Sequence, residues 1–240
     1  MSKQETLTDP ATPAISSPPS PPESWRDYSA LPCNVLLDIF SRVPHADILR
    51  GAGLVCAPWR RLAVAEPALW RHIDLSAAED KTLSSRDGPA HWQAMSRAAV
   101  DRSAGQCESF RGRADSDFLA YLADRSPDLR SIHVTSWIYV TERGFVDGVI
   151  KKLPLLERLV MWRGFFPGSS EVMRAFLDHC PRLDLLDLGG CYNSYAVGYR
   201  TRERCQRTIR NLRLPKTDPN GCSCCVEYAQ DYADKHDYNY

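Results

Sequence analysis

The sequence predicts an α/β protein, in which a small bundle of short helices precedes a short solenoid of strand-plus-helix repeats. Residues 31–75 hold short apolar stripes at helical spacing, interrupted by prolines and glycines. Further along, three segments begin Pro-x-Leu and continue with alternating apolar residues, and their prolines, Pro127, Pro154 and Pro181, lie 27 residues apart. A constant period of this size is typical of a repeat solenoid.

Composition excludes several functional classes. Lys plus Arg and Asp plus Glu number 30 each, so net charge indicates neither a nucleic-acid groove nor a polybasic membrane anchor. No run reaches the ~18 apolar residues of a membrane span, and the amino terminus has no hydrophobic signal core. We therefore expect a soluble protein of the cytoplasm or nucleus. Its nine cysteines are expected to stay reduced, without a disulfide framework.

Residues 1–24 are rich in proline, serine, threonine and alanine. Such a composition buries too little apolar area to offset the entropy of ordering the chain. We expect a disordered leader before the first folded unit, residues 25–76.

Residues 25–76 should form three very short helices. The first starts near Pro32 and the second covers about 46–52. The third should present Leu54, Val55, Trp59 and Leu62, and it can tolerate Pro58 if it begins close to Cys56. A bundle this small has more apolar side chains than it can bury, which is typical of an obligate interface, although the same residues could simply form a core.

These residues resemble the F-box, the module by which F-box proteins dock on a Skp-type adaptor and, through it, on a cullin ubiquitin ligase. The resemblance departs at Asn34 and Pro58. It is carried by Leu31-Pro32, Val35-Leu36-Leu37, Ile39-Phe40, Val43-Pro44, Val55-Cys56, Trp59-Arg60 and Pro67-Ala68-Leu69-Trp70. The resemblance implies adaptor contacts through Leu31, Pro32, Leu36, Ile39, Phe40, Val55 and Trp59.

Residues 77–114 are interpreted as a linker and a first irregular repeat, with a helix over 91–103 and a weak strand over 107–110. Residues 115–215 contain the regular repeats. Their helices should bury columns of residues 27 apart, namely Phe118/Phe145/Val172, Leu119/Val146/Met173, Leu122/Val149/Phe176 and Ala123/Ile150/Leu177. Their strands should point Ile132/Val134, Leu159/Met161 and Leu186/Leu188 inward, and a fourth strand should include Ile209, Leu212 and Leu214.

The run from Leu183 to Cys191 resembles the cysteine-containing leucine-rich repeats that follow many F-boxes. Together the two parts look like the plant F-box/leucine-rich-repeat proteins. In a repeat of this kind the outward strand residues form a concave binding surface. We expect the target protein to contact His133, Arg158, Val160, Trp162 and Asp187 there, with Trp162 either exposed or packed beneath the loop at Phe165 and Phe166.

No pattern of catalytic residues, phosphate loop or cofactor motif stands out. In the tail, residues 216–240, Cys222, Cys224, Cys225 and His236 suggest zinc, but no second separated cysteine pair follows, so a disordered, reduced tail without metal is favoured. Cys180 and Cys191 occupy repeat positions at which cysteine acts as a small apolar side chain.

The resemblance therefore implies a non-catalytic substrate receptor of an SCF-type ubiquitin ligase, with an adaptor, a cullin and an unidentified target protein as partners. The alternatives are a scaffold or decoy that binds the adaptor without delivering a target, and a hydrolase hidden in the repeats.

Overall fold

The computed structural model describes residues 28–76, 89–137, 142–166, 169–192 and 197–215. The predicted leader and the predicted tail with its cysteines lie outside the described residues.

The amino-terminal unit contains the three short helices that the sequence predicts, with bounds shifted by a few residues. Pro32 directly precedes α1, Pro44 directly precedes α2, and Pro58 occupies the first turn of α3. A proline is tolerated there because the first amides of a helix have no intrahelical acceptor. The elements are a 3₁₀ turn at Tyr28–Ala30, α1 Cys33–Phe40, α2 His45–Arg50, a 3₁₀ turn at Ala52–Leu54, α3 Ala57–Ala65 and a 3₁₀ turn at Pro67–Trp70.

One six-stranded parallel sheet follows, in which each strand pairs with the next one along the chain. The strands are β1 His72–Asp74, β2 Ser109–Ala114, β3 Ser131–Trp137, β4 Arg158–Phe165, β5 Leu185–Tyr192 and β6 Asn211–Arg213. The helices that connect them are α4 Pro89–Arg102, α5 Ser116–Arg125, α6 Glu142–Gly148 with a 3₁₀ turn at Ile150–Lys152, α7 Ser170–His179 and α8 Tyr199–Thr208. The order of strands and helices is that of a leucine-rich-repeat solenoid.

The predicted repeat register matches the observed pairing. Ser131 pairs with Arg158 and Arg158 with Leu185, so strand neighbours across β3, β4 and β5 are 27 residues apart, except at Trp162, which pairs with Gly190 at a register shift. The register holds because each repeat has the same length and stacks on the one before it. All six side chains predicted to point inward from these strands are buried, as are most of the predicted helix columns, while Val146 and Leu177 are only half-buried.

Two of the repeat cysteines have the structural role that the sequence predicts. Both are buried, and their thiols contact backbone carbonyls, Cys180 Sγ lying 3.7 Å from the oxygen of Ile150 and Cys191 Sγ lying 3.1 Å from that of Met161. Burial raises the pKa of Cys180 to about 12, so this thiol stays protonated and unreactive.

The strand β1 is a feature that the sequence pattern does not predict. It lies inside the range assigned to the F-box, yet its residue His72 pairs with Ser109 of the sheet. Only Ile73 of its three residues is buried, which is too short a pattern to indicate a strand from sequence. The helix and strand predicted next to it exist as α4 and β2, and one continuous apolar core runs from Leu36 of α1 to Ile209 before β6.

Candidate protein-binding surfaces

Exposed apolar side chains are concentrated in the amino-terminal unit. Of the eight large apolar residues that are exposed in the described part of the chain, six lie between residues 28 and 76. We call these six the F-box surface: Tyr28, Val35, Ile39, Leu54, Val55 and Val64. A set of this kind on a small helical unit marks a surface that another protein can cover.

Leu36 and Phe40, which the sequence predicts as adaptor contacts, do not belong to this exposed surface. They are 2% and 1% exposed, and the Phe40 ring packs edge-on against Trp59 with 5.6 Å between centroids. The apolar residues of α1 form two faces: Val35 and Ile39 point outward, and Leu36 and Phe40 point inward. Helical periodicity identifies the apolar positions but cannot show which of them the unit uses for its own core.

The other predicted adaptor residues differ in exposure. Pro32, Ile39 and Val55 are exposed, and Val55 at 64% is more exposed than Ile39 at 36%. Leu31 is half-buried. Trp59 is also half-buried and is held in place by its indole N–H, which donates to the Tyr28 carbonyl at 3.0 Å. The predicted adaptor residues omit four members of the F-box surface, namely Tyr28, Val35, Leu54 and Val64.

The second candidate surface is the outward face of the sheet. Strand pairing aligns one residue from each strand in a row across this face, namely Asp74, Arg111, His133, Val160, Asp187 and Arg213. We call this row together with Trp162 the sheet surface. Three of the five predicted target residues, His133, Val160 and Asp187, are in the row, whereas Arg158 lies in the neighbouring row with Ser131 and Leu185.

Trp162 is exposed, which resolves the two alternatives left open by the sequence. It keeps 45% of its surface accessible, and its ring lies edge-on to that of His133 at 5.4 Å. The indole also rests on Gly190 of β5, where a Cβ atom would come within 2.9 Å of the ring. Phe166 instead packs inside the solenoid, 6.0 Å from Phe145. The glycine therefore makes room for an aromatic ring to lie on the sheet surface.

His133 is a polar group that the strand holds partly out of water. Its Nε2 atom is buried and has no hydrogen-bond partner among the described residues. Burial lowers the pKa of His133, and the charge of Arg111 lowers that pKa further, against the opposing charges of Asp74 and Asp187. The imidazole is therefore neutral at physiological pH and has a free ring nitrogen beside Trp162.

Charged groups flank this aromatic pair. Asp187 is mostly buried and pairs with the exposed Arg213 at 3.2 Å, while Asp74 lies 3.9 Å from Arg111. Ion pairs with exposed members contribute little stability, about 0 to 1 kcal/mol, but they fix where each charge can meet a bound protein.

The described residues contain no group of three or more His, Cys, Asp or Glu side chains placed to hold a metal ion. In the same parts of the chain, every helix is too short or too polar to cross a membrane.

Comparison with known proteins agrees with this geometry. The F-box-like family matches residues 28–76, the unit that carries the F-box surface. Putative F-box/LRR-repeat protein 23 of Arabidopsis thaliana is 28% identical over 263 aligned positions, which cover 84% of this chain and 57% of that protein. F-box protein SKIP19 of the same plant is 28% identical over 255 positions, which cover 83% of this chain and 82% of that protein.

A third relative is more similar in sequence. Putative F-box/LRR-repeat protein 9 of Arabidopsis thaliana is 33% identical over 202 positions, covering 83% of this chain and 80% of that protein. This chain thus spans little more than half of one relative and most of two others. Three observations therefore lead to one conclusion: the F-box-like unit, the parallel strand-and-helix solenoid with its 27-residue register, and these relatives. The chain belongs to the plant F-box/leucine-rich-repeat proteins.

Proposed function

We propose that this protein is the substrate-recognition subunit of an SCF-type cullin ubiquitin ligase. The observation that supports it best is that six of the eight large apolar side chains exposed among the described residues lie in the F-box-like unit. A partner that covers them removes this area from water, and each square ångström contributes about 25 cal/mol of favourable free energy before the costs of association.

The F-box surface would bind a Skp-type adaptor. Val35 and Ile39, one helical turn apart on α1, offer one exposed apolar face, and Val55 offers a third contact before α3. Pro32 extends this face at the start of α1, and Leu31 and Trp59 adjoin it. Leu36 and Phe40 support the surface indirectly because they fix how α1 packs on α3.

The sheet surface would bind the target protein. Trp162 offers a large, rigid aromatic side chain that is already held by Gly190 and His133, so little side-chain entropy is lost on binding. Val160 lies between His133 and Asp187 in the same row, and Arg158 adds an exposed charge. The surface therefore combines an aromatic anchor with charges of both signs, which suits recognition of a specific protein.

The protein would act by position and without catalytic chemistry of its own. Holding a target next to a ubiquitin-charged conjugating enzyme raises the effective concentration of target lysines at the thioester. No proton transfer by this chain is needed, and we place the protein in the cytoplasm or nucleus, where such complexes act.

Reconstitution with a Skp-type adaptor and cullin tests the proposal. Ile39→Asp and Val55→Asp each place a charge in the apolar interface, and they should abolish adaptor binding measured by calorimetry. Tyr199→Asp is the matched control because Tyr199 is 79% exposed but lies on α8, far along the chain from the F-box surface. Equal binding by the wild type and both F-box variants would disprove the interface.

Target delivery is tested in the same complex. Proteins captured from plant extract by the intact complex should be ubiquitylated in vitro, and Trp162→Ala should reduce their capture while adaptor binding is retained. A complex that binds the adaptor but ubiquitylates none of the captured proteins would identify this chain as a scaffold or decoy.

A further inference from the structure

A cavity of about 460 Å³ lies between α2 of the F-box and α4, the helix that leads into the repeats. Its apolar wall consists of Leu49, Ala94, Met95 and Ala98. Its polar wall is formed by His91 in the first turn of α4 and by two arginines, Arg50 at the end of α2 and Arg102 at the end of α4. The cavity is distinct from both protein-binding surfaces, and the proposed function does not use it.

The two guanidinium groups carry buried donors that have no acceptor. Arg50 Nε and Nη2 and Arg102 Nη1 are shielded from solvent and have no hydrogen-bond partner among the described residues. Buried polar groups are almost always paired, since an unpaired one loses its hydration without compensation. Three such donors on the residues of one cavity indicate a site for a group with several acceptor oxygens.

The charge around the cavity points to an anion. Burial lowers the pKa of Arg102, and the positive charge of Arg60 lowers it further. Neither arginine forms an ion pair within the described residues, and the neighbouring acid, Asp101, pairs instead with Arg125 at 3.2 Å. An anion in the cavity would relieve the repulsion between these cations.

Arg102 is also positioned in advance. Its guanidinium carbon lies 5.2 Å from the centre of the Trp70 ring, at the end of the F-box unit. Stacking on an aromatic face restricts the guanidinium plane, so its donors keep a fixed direction and less entropy is lost when a ligand binds.

We propose that this cavity binds a small phosphorylated organic molecule. Phosphate oxygens match the fork of donors on a guanidinium group, and two arginines can hold one phosphate together. The cavity volume lies within the range of small-molecule sites and far exceeds the ~30 Å³ share of a water molecule. The apolar wall of Leu49, Ala94, Met95 and Ala98 provides the surface for the carbon skeleton of the ligand.

Binding would connect the two halves of the protein. Arg50 belongs to the F-box and Arg102 to the helix before the repeats, so a phosphate held by both would tie α2 to α4. A ligand that binds only the folded chain also raises its melting temperature in a concentration-dependent way.

Titration of the full-length protein with phenyl phosphate tests the site, with inorganic phosphate and phenol as the two partial probes. Saturable binding of phenyl phosphate is expected, with inorganic phosphate and phenol each binding more weakly. Arg50→Gln and Arg102→Gln should each weaken phenyl phosphate binding by about tenfold or more, as loss of a charged hydrogen bond predicts. Arg102→Lys should weaken it too, because a lysine keeps the charge but lacks the fork.

Arg61→Gln is the matched control, because it removes the same charge from an exposed position on α3 that does not line the cavity. It should leave the affinity unchanged, and circular dichroism should show every variant folded. Absence of saturable phenyl phosphate binding, or equal weakening by Arg61→Gln, would overturn the site. Inorganic phosphate binding as tightly as phenyl phosphate would overturn the organic ligand, and phenol binding as tightly would overturn the role of the arginines.

Discussion

The F-box helices and the repeat helices begin in different ways. None of α1, α2 and α3 has a side-chain hydrogen bond at its amino-terminal cap, and each has a proline at the cap or in the first turn. In the repeats, by contrast, Asp115 caps α5 and Ser169 caps α7 through side-chain oxygens that accept backbone N–H groups. α5 and α7 thus have a local source of stability that the F-box helices lack, whereas α8, with Gly198 at its cap, has no side-chain cap hydrogen bond.

The apolar side chains of the two regions differ in the same direction. The F-box unit leaves six large apolar residues exposed, whereas the repeats from β2 onward leave only Trp162 and Tyr199 exposed within their described residues. A solenoid buries its apolar columns against the next repeat, which the chain itself supplies. The F-box unit leaves its apolar surface uncovered, and binding of the proposed adaptor would bury that surface.

The largest expected effect would show that the F-box nevertheless has a real core. Phe40→Ala should lower the free energy of unfolding by about 3 to 5 kcal/mol, because Phe40 is 1% exposed and packs on Trp59. Phe145→Ala in the repeats should lower the free energy of unfolding by a similar amount, since the centre of the Phe145 ring lies 6.0 Å from the ring centres of both Phe166 and Phe176. Urea unfolding measures both values. If Phe40→Ala lowered the free energy of unfolding by less than about 1 kcal/mol, Phe40 would not be a core residue.

The capping difference gives the next effect. Asp115 accepts from the Phe118 N–H at 2.7 Å and also from Gln93 of α4. Asp115→Ala should therefore cost about 1 kcal/mol or slightly more. Asp117→Ala, an exposed acid in the same first turn, is the control and should cost about 0.5 kcal/mol or less. Equal costs in chemical denaturation would show that charge near the helix terminus, and not the cap, stabilises α5.

The same comparison can be reversed in the F-box. Cys56 occupies the cap of α3 in an extended conformation and makes no side-chain hydrogen bond to the helix. A serine there can accept from an amide of the first turn, so Cys56→Ser should raise the free energy of unfolding by about 0.5 to 1 kcal/mol. Cys56→Ala removes the same thiol without adding an acceptor. If Cys56→Ala stabilised the protein as much in urea unfolding, the missing cap would not be the relevant difference.

The smallest expected effect is the contribution of His133, on the sheet surface, to the pH dependence of stability. Because the pKa of folded His133 is below its usual value of 6.5, the unfolded chain binds more protons between those two values. His133 therefore destabilises the fold as pH falls below 6.5, and its contribution to the pH dependence disappears above that value. Between about pH 7.5 and pH 5, the melting temperature of His133→Gln should fall less than that of the wild type. Identical pH profiles would contradict the assigned pKa direction.

The repeats are easier to predict from sequence than the F-box for a physical reason. Three copies of one pattern identify the inward residues of a solenoid, so the repeat alignment alone places Leu159, Leu186 and their equivalents in the core. A single small bundle offers no internal comparison, so its apolar pattern does not show that Leu36 and Phe40 lie in the core while Val35 and Ile39 are exposed. The cavity has no sequence signal, since Arg50 and Arg102 are 52 residues apart and each resembles an ordinary solvated charge.

The pairing of β1 with β2 affects how chains of this kind can be recombined. A fragment cut after Ser76 would take the first strand away from the sheet and leave the hydrogen-bonding edge of β2 uncovered. A fragment cut before His72 would keep that strand but would remove Trp70, on which Arg102 stacks. A chimera that exchanges F-boxes between two such proteins should therefore transfer the strand β1 together with the helices. Its junction then lies after residue 76, and the incoming β1 must be able to pair with β2 of the recipient protein.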